Sequence, residues 1–363
     1  MKRGILVVIA LICSVAVFAS FSGPVEINCS DSHFNCTGLV GLWHLDNNSA
    51  YGESSTHAYD FSSNGNNCTI SGAIFTQSGK LDGAYIFDGY DDQVYVSSSA
   101  SLVLQDELTI SVWIYPLRSS NYVVGNSWSN SNLGYYALGT FGGGIRFNWW
   151  DGATQIQYMS NNTIDLNTWT HVSVRHKFTD NSQTKMFVNG VEFPAYWQVG
   201  TGNEANTCDA CRFQIGRFYG TSSGTSDMYH INGTVDEVAI WNRTLGDSEI
   251  LALYNSAVLP TSSFDGTDFW SASNMSNQTG LVLSNSYGNI SWNQGVDARD
   301  EDYDSSVVIG DGFVSINSSA LDSSINSSAN VTLFNFSCND DIILLSGHAT
   351  SKSEIINGGV PCP

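Results

Sequence analysis

The chain has 363 residues, of which only 13% are charged, yet 34 acidic against 13 basic residues give it a formal net charge of −21. Soluble domains usually carry about 25% charged residues, so Ser, Thr, Asn and Gly must solvate most of this surface. Nucleic acid is excluded as a partner, because phosphate binding needs clustered Lys and Arg and the sequence has no such cluster. With 42% hydrophobic residues the chain is not disordered, and its length predicts two domains.

The N-terminus has the pattern of an export signal peptide, which we place at residues 1–19. Lys2 and Arg3 precede an apolar run, and Ala19 ends a sequence that an export peptidase can cleave. The alternative is an uncleaved membrane anchor, although the run is shorter than the roughly 20 residues of a spanning helix. We therefore expect a secreted or cell-surface protein, which contacts the membrane only if this N-terminal segment is retained.

Sequons and cysteines agree with export. The pattern Asn-x-Ser/Thr occurs fourteen times, which predicts a glycoprotein. An odd number of cysteines remains after cleavage, and in an oxidising compartment they should pair. Cys208 and Cys211 precede a strand rather than opening a helix, so we predict a structural disulfide there instead of a redox pair or half a zinc site. Cys68 could pair with Cys29 or Cys36, and the sequence does not choose between them.

Almost every apolar run alternates with a period of two, the pattern of strands. The run from Thr109 to Tyr115 alternates over its whole length, and Lys185–Val188 is followed by Asn189-Gly190, the dipeptide of a type I′ hairpin turn. Only Asp247–Asn255 has a helical pattern. Further strands are predicted at Leu39–Leu45, Ala84–Phe87, Gln93–Ser97, Gly144–Trp149, His171–Arg175, Phe213–Gly216 and Thr234–Trp241. Short strands joined by Gly-rich and Asn-rich turns indicate an all-β fold, an antiparallel β-sandwich jelly roll.

A series of motifs carries a family resemblance. The motifs are Gly41-Leu42-Trp43-His44-Leu45-Asp46, the loop from Asp60 to Asn67, Phe87-Asp88-Gly89-Tyr90-Asp91-Asp92, Asn167-Thr168-Trp169-Thr170-His171-Val172, Ile215-Gly216-Arg217 and Gly233-Thr234-Val235-Asp236-Glu237-Val238. In this order they resemble the laminin-G-like (LamG) jelly roll, a branch of the concanavalin A-like lectin/glucanase superfamily. The similarity covers about residues 38 to 257, and we place the domain at 24–258. Departures are Leu45 where the family usually has Phe, Gly246 where a Ser cap is common, and the insertion with Cys208 and Cys211.

A second, smaller β domain is predicted for residues 261–363. Pro260 and a Ser/Thr cluster mark a linker, and the region beyond it is Ser/Asn-rich and acidic with short apolar runs. It is similar to a β module that follows such jelly rolls in some prokaryotic, often archaeal, surface proteins. In that module a second cysteine commonly follows a Cys-Pro pair, whereas this chain stops at Pro363. We therefore expect an incomplete domain with one cysteine left over.

The resemblance implies a structural calcium in many relatives, and we assign it to Asp60, Asn64, Asn66 and Asp236. The loop supplies carboxylate and amide oxygens, the ligands that Ca²⁺ prefers. Strand alternation places Asp236 on the core face of its strand, where a carboxylate needs a hydrogen-bonding partner or a metal. The alternative is an ion-free loop in which Asp236 accepts backbone N–H bonds.

Glycan contact is expected from aromatic rings beside polar loops, and the candidates are Trp128, Trp150 and Tyr219. Successive residues of a strand face opposite sides, so Trp149 and Trp150 cannot both point into the core. One ring of this pair is therefore predicted to lie outside it. The alternative is that this ring only packs under a loop.

The sequence offers no catalytic constellation. Retaining glycosidases need two carboxylates about 5 to 5.5 Å apart, and the Glu-x-Asp-x-Glu strand motif of the glucanase branch is not found. Asp236 and Glu237 are expected on opposite faces of their strand, and His171 on the surface of its strand. We therefore expect a non-catalytic binding or adhesion module for glycans or surface proteins. A structural envelope component without a specific ligand is the alternative, and a glycoside hydrolase is the third.

Overall fold

The computed structural model describes residues 21–97, 99–127, 136–206, 212–217, 230–267, 269, 275–310, 313–325, 327, 329–334, 343–344 and 360–361. The strands up to residue 241 are β1 (Phe21–Ser22), β2 (Leu39–Trp43), β3 (His57–Ala58), β4 (Cys68–Ser71), β5 (Ile74–Thr76), β6 (Ala84–Asp88), β7 (Gln93–Val96), β8 (Glu107–Pro116), β9 (Asn121–Ser127), β10 (Tyr136–Phe141), β11 (Gly144–Trp150), β12 (Gln155–Thr163), β13 (Thr170–Lys177), β14 (Asp180–Val188), β15 (Val191–Phe193), β16 (Ala195–Val199), β17 (Arg212–Ile215) and β18 (Asn232–Trp241). The later strands are β19 (Thr261–Ser262), β20 (Asp265–Gly266), β21 (Val282–Asn285), β22 (Gly288–Trp292), β23 (Val307–Gly310), β24 (Phe313–Ile316), β25 (Ala329–Leu333), β26 (Ile343–Leu344) and β27 (Val360–Pro361).

The described residues contain two α-helices, α1 (Asp247–Ser256) and α2 (Tyr303–Ser306). Short 3-10 turns lie at Ser49–Tyr51, Ala100–Leu102, Met275–Asn277 and Ser323–Ile325. Neither α-helix has the length and apolar character needed to cross a bilayer.

The chain divides into two compact units. The first, here called the jelly roll, contains Pro24–Leu259 and Phe269–Ser273. The second, here called the small unit, includes Pro260–Asp268 and the described residues from Met275 onward. Its largest sheet has the strand order β20-β21-β22-β25, and the strand pair β1 and β19 also belongs to this unit.

Two antiparallel sheets build the jelly roll. The nine-stranded sheet has the order β16-β12-β11-β10-β9-β17-β7-β4-β3, and the eight-stranded sheet has the order β15-β14-β13-β8-β18-β6-β5 with β2 beside β18. Strands distant in sequence, such as β17 between β9 and β7, are neighbours, as in other two-sheet jelly rolls. The predicted all-β jelly-roll fold is confirmed.

The core between the sheets takes alternate residues from each strand. On β11, Phe147 and Trp149 are buried in this core, whereas Asn148 and Trp150 lie on the opposite face. Trp149 is fully buried and Trp150 is half-buried, so the predicted split of this pair is confirmed. Burial of a large apolar side chain contributes about 1.5–3 kcal/mol, so alternation also fixes the strand register.

Helix α1 covers part of the outer face of the eight-stranded sheet, where Ile250 and Leu253 join a second apolar cluster. The helix begins after Gly246, whose N–H donates to the Glu249 carboxylate at 2.7 Å. Asp247 and Glu249 in the first turn also complement the positive end of the helix dipole. The predicted helix is confirmed, and it ends one residue later than expected.

The predicted hairpin is also confirmed. Strands β14 and β15 flank Asn189 and Gly190, which have φ values of 50° and 75°. Two consecutive positive φ angles define a type I′ turn, whose twist matches that of the flanking strands.

The sequence predicts that side chains alternate strictly between the two faces of β18, and this prediction is wrong. Val235 pairs with Ile114, but the register shifts between Asp236 and Ala239 because β18 contains a β-bulge. Glu237, the extra residue, has φ 48°. The bulge places Asp236 opposite Trp113, on the outer face of the sheet, and Glu237 lines a small cavity on that same side. Asp236 therefore does not face the core, and the two acids do not lie on opposite faces.

Two further expectations need correction. Cys29 forms a disulfide with Cys36, and Cys68 is a buried free thiol, so neither proposed pairing of Cys68 occurs. His171 is only 1% exposed instead of lying on the surface, because Tyr254 of α1 and Trp113 pack beside its ring. The predicted Cys208–Cys211 disulfide falls outside the described residues.

Candidate functional site

One face of the nine-stranded sheet points away from the core and is lined by polar and aromatic side chains. The strand registers place six residues side by side in one row, namely Tyr95, Gln214, Gly125, Ala137, Asn148 and Gln157. Two positions further along their strands, Arg212 and Trp150 lie on the next row of this face. We call the surface formed by these eight residues, together with Gln93 and Arg146, the polar face.

The strands that carry the polar face contain no acidic residue. None of the nine has an Asp or Glu, although the whole chain has 34. Arg146 and Arg212 are the charged residues of these strands at neutral pH. By contrast, the strands of the eight-stranded sheet contain Asp88, Glu107, Asp180, Glu192, Asp236 and Glu237. Acidic side chains are thus concentrated on one sheet and excluded from the other.

Asn148 lies within the polar face and has no hydrogen bond. Its side chain is 0% exposed, yet neither Oδ1 nor Nδ2 has a partner. Arg212 Nε and Gln93 Oε1, on the same face, are also buried without partners. Leaving a buried polar group unpaired costs about 1–3 kcal/mol, so such groups usually mark an ordered water or a ligand.

Aromatic rings hold the two arginines of this sheet. The Arg212 guanidinium carbon lies 3.4 Å from the centroid of the Tyr95 ring. Arg146 lies 5.0 Å from the Tyr122 ring and 4.7 Å from the Phe141 ring. Stacking of this kind fixes the plane of a guanidinium while its N–H edges stay able to donate. Amides, arginines and a half-buried indole on one face can together hydrogen-bond hydroxyls and stack on a sugar ring.

The structure places one of the three predicted glycan-contacting residues. Trp150 is on the polar face, paired with Gln155 of the next strand, whereas Trp128 and Tyr219 lie outside the described residues. Asn148 and Arg212 were missed by the sequence interpretation, which looked only for aromatic rings. The signal available was the run of strands with amides and arginines but no acids.

A second polar cluster lies at the β18 bulge. His44 Nδ1 is 2.8 and 3.1 Å from the two carboxylate oxygens of Glu237, and both side chains are buried. Burial alone would lower the pKa of His44, but the charges of Glu237, Glu26 and Asp46 outweigh it and raise this pKa to about 9. At neutral pH the His44–Glu237 contact is therefore a buried ion pair.

The predicted calcium residues Asp60, Asn64 and Asn66 make hydrogen bonds within and around their loop, the two asparagines as donors through Nδ2. The Asp60 carboxylate accepts backbone N–H bonds from Leu42, Ser62 and Asn66 at 2.8–3.0 Å. The Asn66 amide donates to a backbone carbonyl at 2.7 Å and to a serine hydroxyl at 2.9 Å, and the Asn64 amide donates to Leu39 O at 3.1 Å. These bonds organise the loop.

Asp236 makes a separate set of contacts. Its carboxylate accepts the backbone N–H groups of Lys80, Leu81 and Glu237 at 2.8–3.0 Å. It shares no hydrogen-bond partner with Asp60. Burial and the adjacent Glu237 raise the pKa of Asp236 well above its usual range. These backbone N–H bonds to Asp236 are the ones that the ion-free alternative describes.

A different set of carboxylates lies close enough together to share a metal ion. Oxygens of Glu26, Asp46 and Asp82 lie within 4.8 Å of one another. Calcium binds oxygen at 2.3–2.6 Å, so oxygens this close can share one ion. Burial, followed by a hydrogen bond with Asp46, raises the pKa of Glu26 to about 8. Oxygens of Asp88, Asp91 and Asp92 also lie within 4.8 Å of one another, so two groups of described acids have a spacing that suits calcium.

The two antiparallel sheets define a jelly-roll module, and one of them carries an acid-free polar face. Residues 88–251 match the Laminin_G_3 family model, described as the concanavalin A-like lectin/glucanases superfamily. This match lies within the jelly roll, and it confirms the resemblance seen in the motifs. No curated protein matches the sequence.

Several solved structures are similar to the chain. Domain 4 of AbnA, a GH43 extracellular arabinanase from Geobacillus stearothermophilus, in complex with arabinotriose, is 18% identical, with 60% of this chain and 98% of that chain covered and a TM-score of 0.44. The binding domain of Paraclostridial Mosquitocidal Protein 1 is 16% identical, with 70% and 64% covered and a TM-score of 0.47. The ligand-binding domain of botulinum neurotoxin serotype D, in complex with N-acetylneuraminic acid, is 11% identical, with 71% and 62% covered and a TM-score of 0.45.

Proposed function

We propose that the jelly roll is a non-catalytic glycan-binding module whose ligand lies across the polar face. The observation that carries this proposal is the buried Asn148 amide, which has no hydrogen-bond partner. A sugar hydroxyl both donates and accepts hydrogen bonds, so it complements an amide carbonyl and an amide N–H together. The strands of this sheet supply no acid pair for hydrolysis, which favours binding over catalysis.

The spacing of the polar face suits an oligosaccharide. Arg212 on β17 and Trp150 on β11 are separated by three strand spacings, a distance of about 14 Å. A glycan lying across the strands can stack one ring on Trp150, next to the position of the buried Asn148 amide. The rest of the ligand would then extend toward Tyr95 and Arg212.

Asn148→Leu is expected to raise the free energy of unfolding by about 1 kcal/mol and to abolish glycan binding. The gain arises because leucine removes a buried, unpaired amide of similar size. Trp150→Ala is expected to weaken binding at least tenfold through loss of ring stacking. A glycan array, followed by titration calorimetry and urea unfolding, measures both effects.

A matched control is Tyr51→Ala, which removes an exposed ring outside the nine-stranded sheet and should leave affinity unchanged. A loss of stability in Asn148→Leu would show that the amide serves the fold instead of a ligand. Absence of binding to any glycan would favour a structural envelope component, and turnover of a β-glucan panel would favour an enzyme.

We also propose that the module acts outside the cell as a glycoprotein. The Cys29–Cys36 disulfide supports an oxidising compartment. Within the jelly roll, five sequon asparagines are exposed, namely Asn28, Asn35, Asn67, Asn161 and Asn242. Surface proteins remain a second class of partner for such a module.

Calcium stays a prediction, and the structure sharpens its test. We expect millimolar Ca²⁺ to raise the melting temperature, because an ion that binds only the folded state stabilises it. Asp82→Asn should remove this shift if Glu26, Asp46 and Asp82 hold the ion, whereas exposed Asp165→Asn, which belongs to no carboxylate group of this kind, serves as the matched control. Mg²⁺ should produce a smaller shift. An unchanged melting temperature in calcium would remove the ion from the proposal.

A further inference from the structure

The cations of the two sheets differ in their partners. On the eight-stranded sheet, Arg175 and Lys185 contact Asp247 at 2.8 and 2.9 Å, and Lys177 contacts Glu107 at 2.7 Å. On the nine-stranded sheet, no ion pair joins Arg212 to any carboxylate in the part of the chain that the structure describes. Its Nε is buried without a hydrogen-bond partner.

An arginine without an acid partner is unexpected in this protein. Acidic residues outnumber basic ones 34 to 13, so a cation is readily neutralised by a nearby carboxylate. The nine strands around Arg212 nevertheless contain no Asp or Glu. Its contact with the Tyr95 ring, 3.4 Å from the guanidinium carbon to the ring centroid, holds the group in one plane without neutralising it.

We infer that the ligand of the polar face is an acidic oligosaccharide, whose carboxylate or sulfate group is bound by Arg212. This inference rests on the proposed function and names the ligand class of the same site. A planar guanidinium donates two parallel N–H bonds to a carboxylate or sulfate, so it selects an anion by geometry as well as charge. Trp150, about 14 Å away across three strands, stacks on a different ring of the same chain.

The first test compares three probes with the full-length protein by titration calorimetry. Trigalacturonic acid carries carboxylates, its methyl ester is the neutral counterpart with the same rings, and a chondroitin sulfate tetrasaccharide carries sulfate as well as carboxylate. We expect at least one acidic probe to bind about tenfold or more tightly than the methyl ester. The stronger of the two acidic probes then shows whether carboxylate alone suffices or sulfate is required.

The second test uses Arg212→Gln, which should lower affinity for the acidic probe about tenfold more than affinity for the methyl ester and so remove the preference. Arg212→Lys should retain part of the preference, because it keeps the charge but loses the paired N–H geometry. Lys177→Gln is the matched control, since it removes a cation of the other sheet. Melting temperatures close to wild type would confirm that the variants fold.

Three results would overturn the inference. The first is that neither acidic probe binds more tightly than the methyl ester, and the second is an equal loss of affinity for the acidic probe and the methyl ester in Arg212→Gln. Failure of all three probes would also overturn it. The proposed function is judged separately, because binding of neutral glycans on the array, with sensitivity to Asn148→Leu, would support it even then.

Discussion

Replacing His44 with leucine should lower the free energy of unfolding by about 3–5 kcal/mol at neutral pH. The substitution removes the cation of a buried pair and leaves the Glu237 carboxylate 3% exposed without a charge partner. Because the pKa of His44 is raised to about 9, the pair contributes fully below the unfolded pKa of about 6.5 and its contribution is lost as pH rises through about 9. Urea unfolding at pH 7 measures the loss.

The double variant His44→Leu with Glu237→Met is the control for this prediction. It removes both charges and fills much of the same volume, so it should recover most of the stability lost in the single variant. If the double variant is instead as unstable as the sum of the single changes, the two side chains do not act as a pair. That outcome would contradict the buried ion pair.

Acid should destabilise the jelly roll by about 4 kcal/mol between pH 7.5 and pH 5 through two histidines. Burial lowers the pKa of both His171 and His176 to about 3. The unfolded chain protonates each of them near pH 6.5, whereas the folded chain does not. The unfolded state therefore binds more protons, and stability falls as pH decreases from about 6.5 toward 3, by about 2 kcal/mol per histidine at pH 5.

The environment of His176 explains the low pKa. The Trp149 ring lies 4.4 Å away and the Phe178 ring 4.8 Å away, while Nδ1 is 2.7 Å from the Thr184 hydroxyl. His176→Gln cannot titrate, so its unfolding free energy should fall about 2 kcal/mol less than that of wild type over this pH range. Exposed His57→Gln should retain the wild-type dependence. Parallel pH profiles for wild type and His176→Gln would contradict the prediction.

Local pattern was sufficient to predict most of the fold. Period-two alternation identified β8 and β11, and Asn189-Gly190 fixed a hairpin because two positive φ angles suit these residues. Alternation failed at Glu237, because a β-bulge inserts one residue and no composition signal marks it. Pairings of β17 with β7 and β9 involve residues far apart in sequence, so they depend on the packing of the whole sandwich.

The candidate site was less predictable. Trp150 was found because alternation forbids two neighbouring rings in one core. Asn148 and Arg212 were missed because they stand out only in the folded protein. There, some of their polar side-chain atoms are buried without a hydrogen-bond partner. The Glu26, Asp46 and Asp82 group was also missed, since its members come from three separate segments. The backbone N–H groups that donate to Asp60 are not visible in a residue pattern, and its role as a calcium ligand stays a prediction.

The separation of acids from the nine-stranded sheet has a kinetic consequence for an anionic ligand. At long range such a ligand meets a molecule with net charge −21 and is repelled, whereas the attraction of Arg212 is felt only close to the sheet. Salt at physiological strength screens charges beyond about 8 Å but screens a partly buried contact much less. Moderate salt should therefore speed the encounter while leaving the bound contact largely intact, in contrast to the usual electrostatic steering of oppositely charged partners.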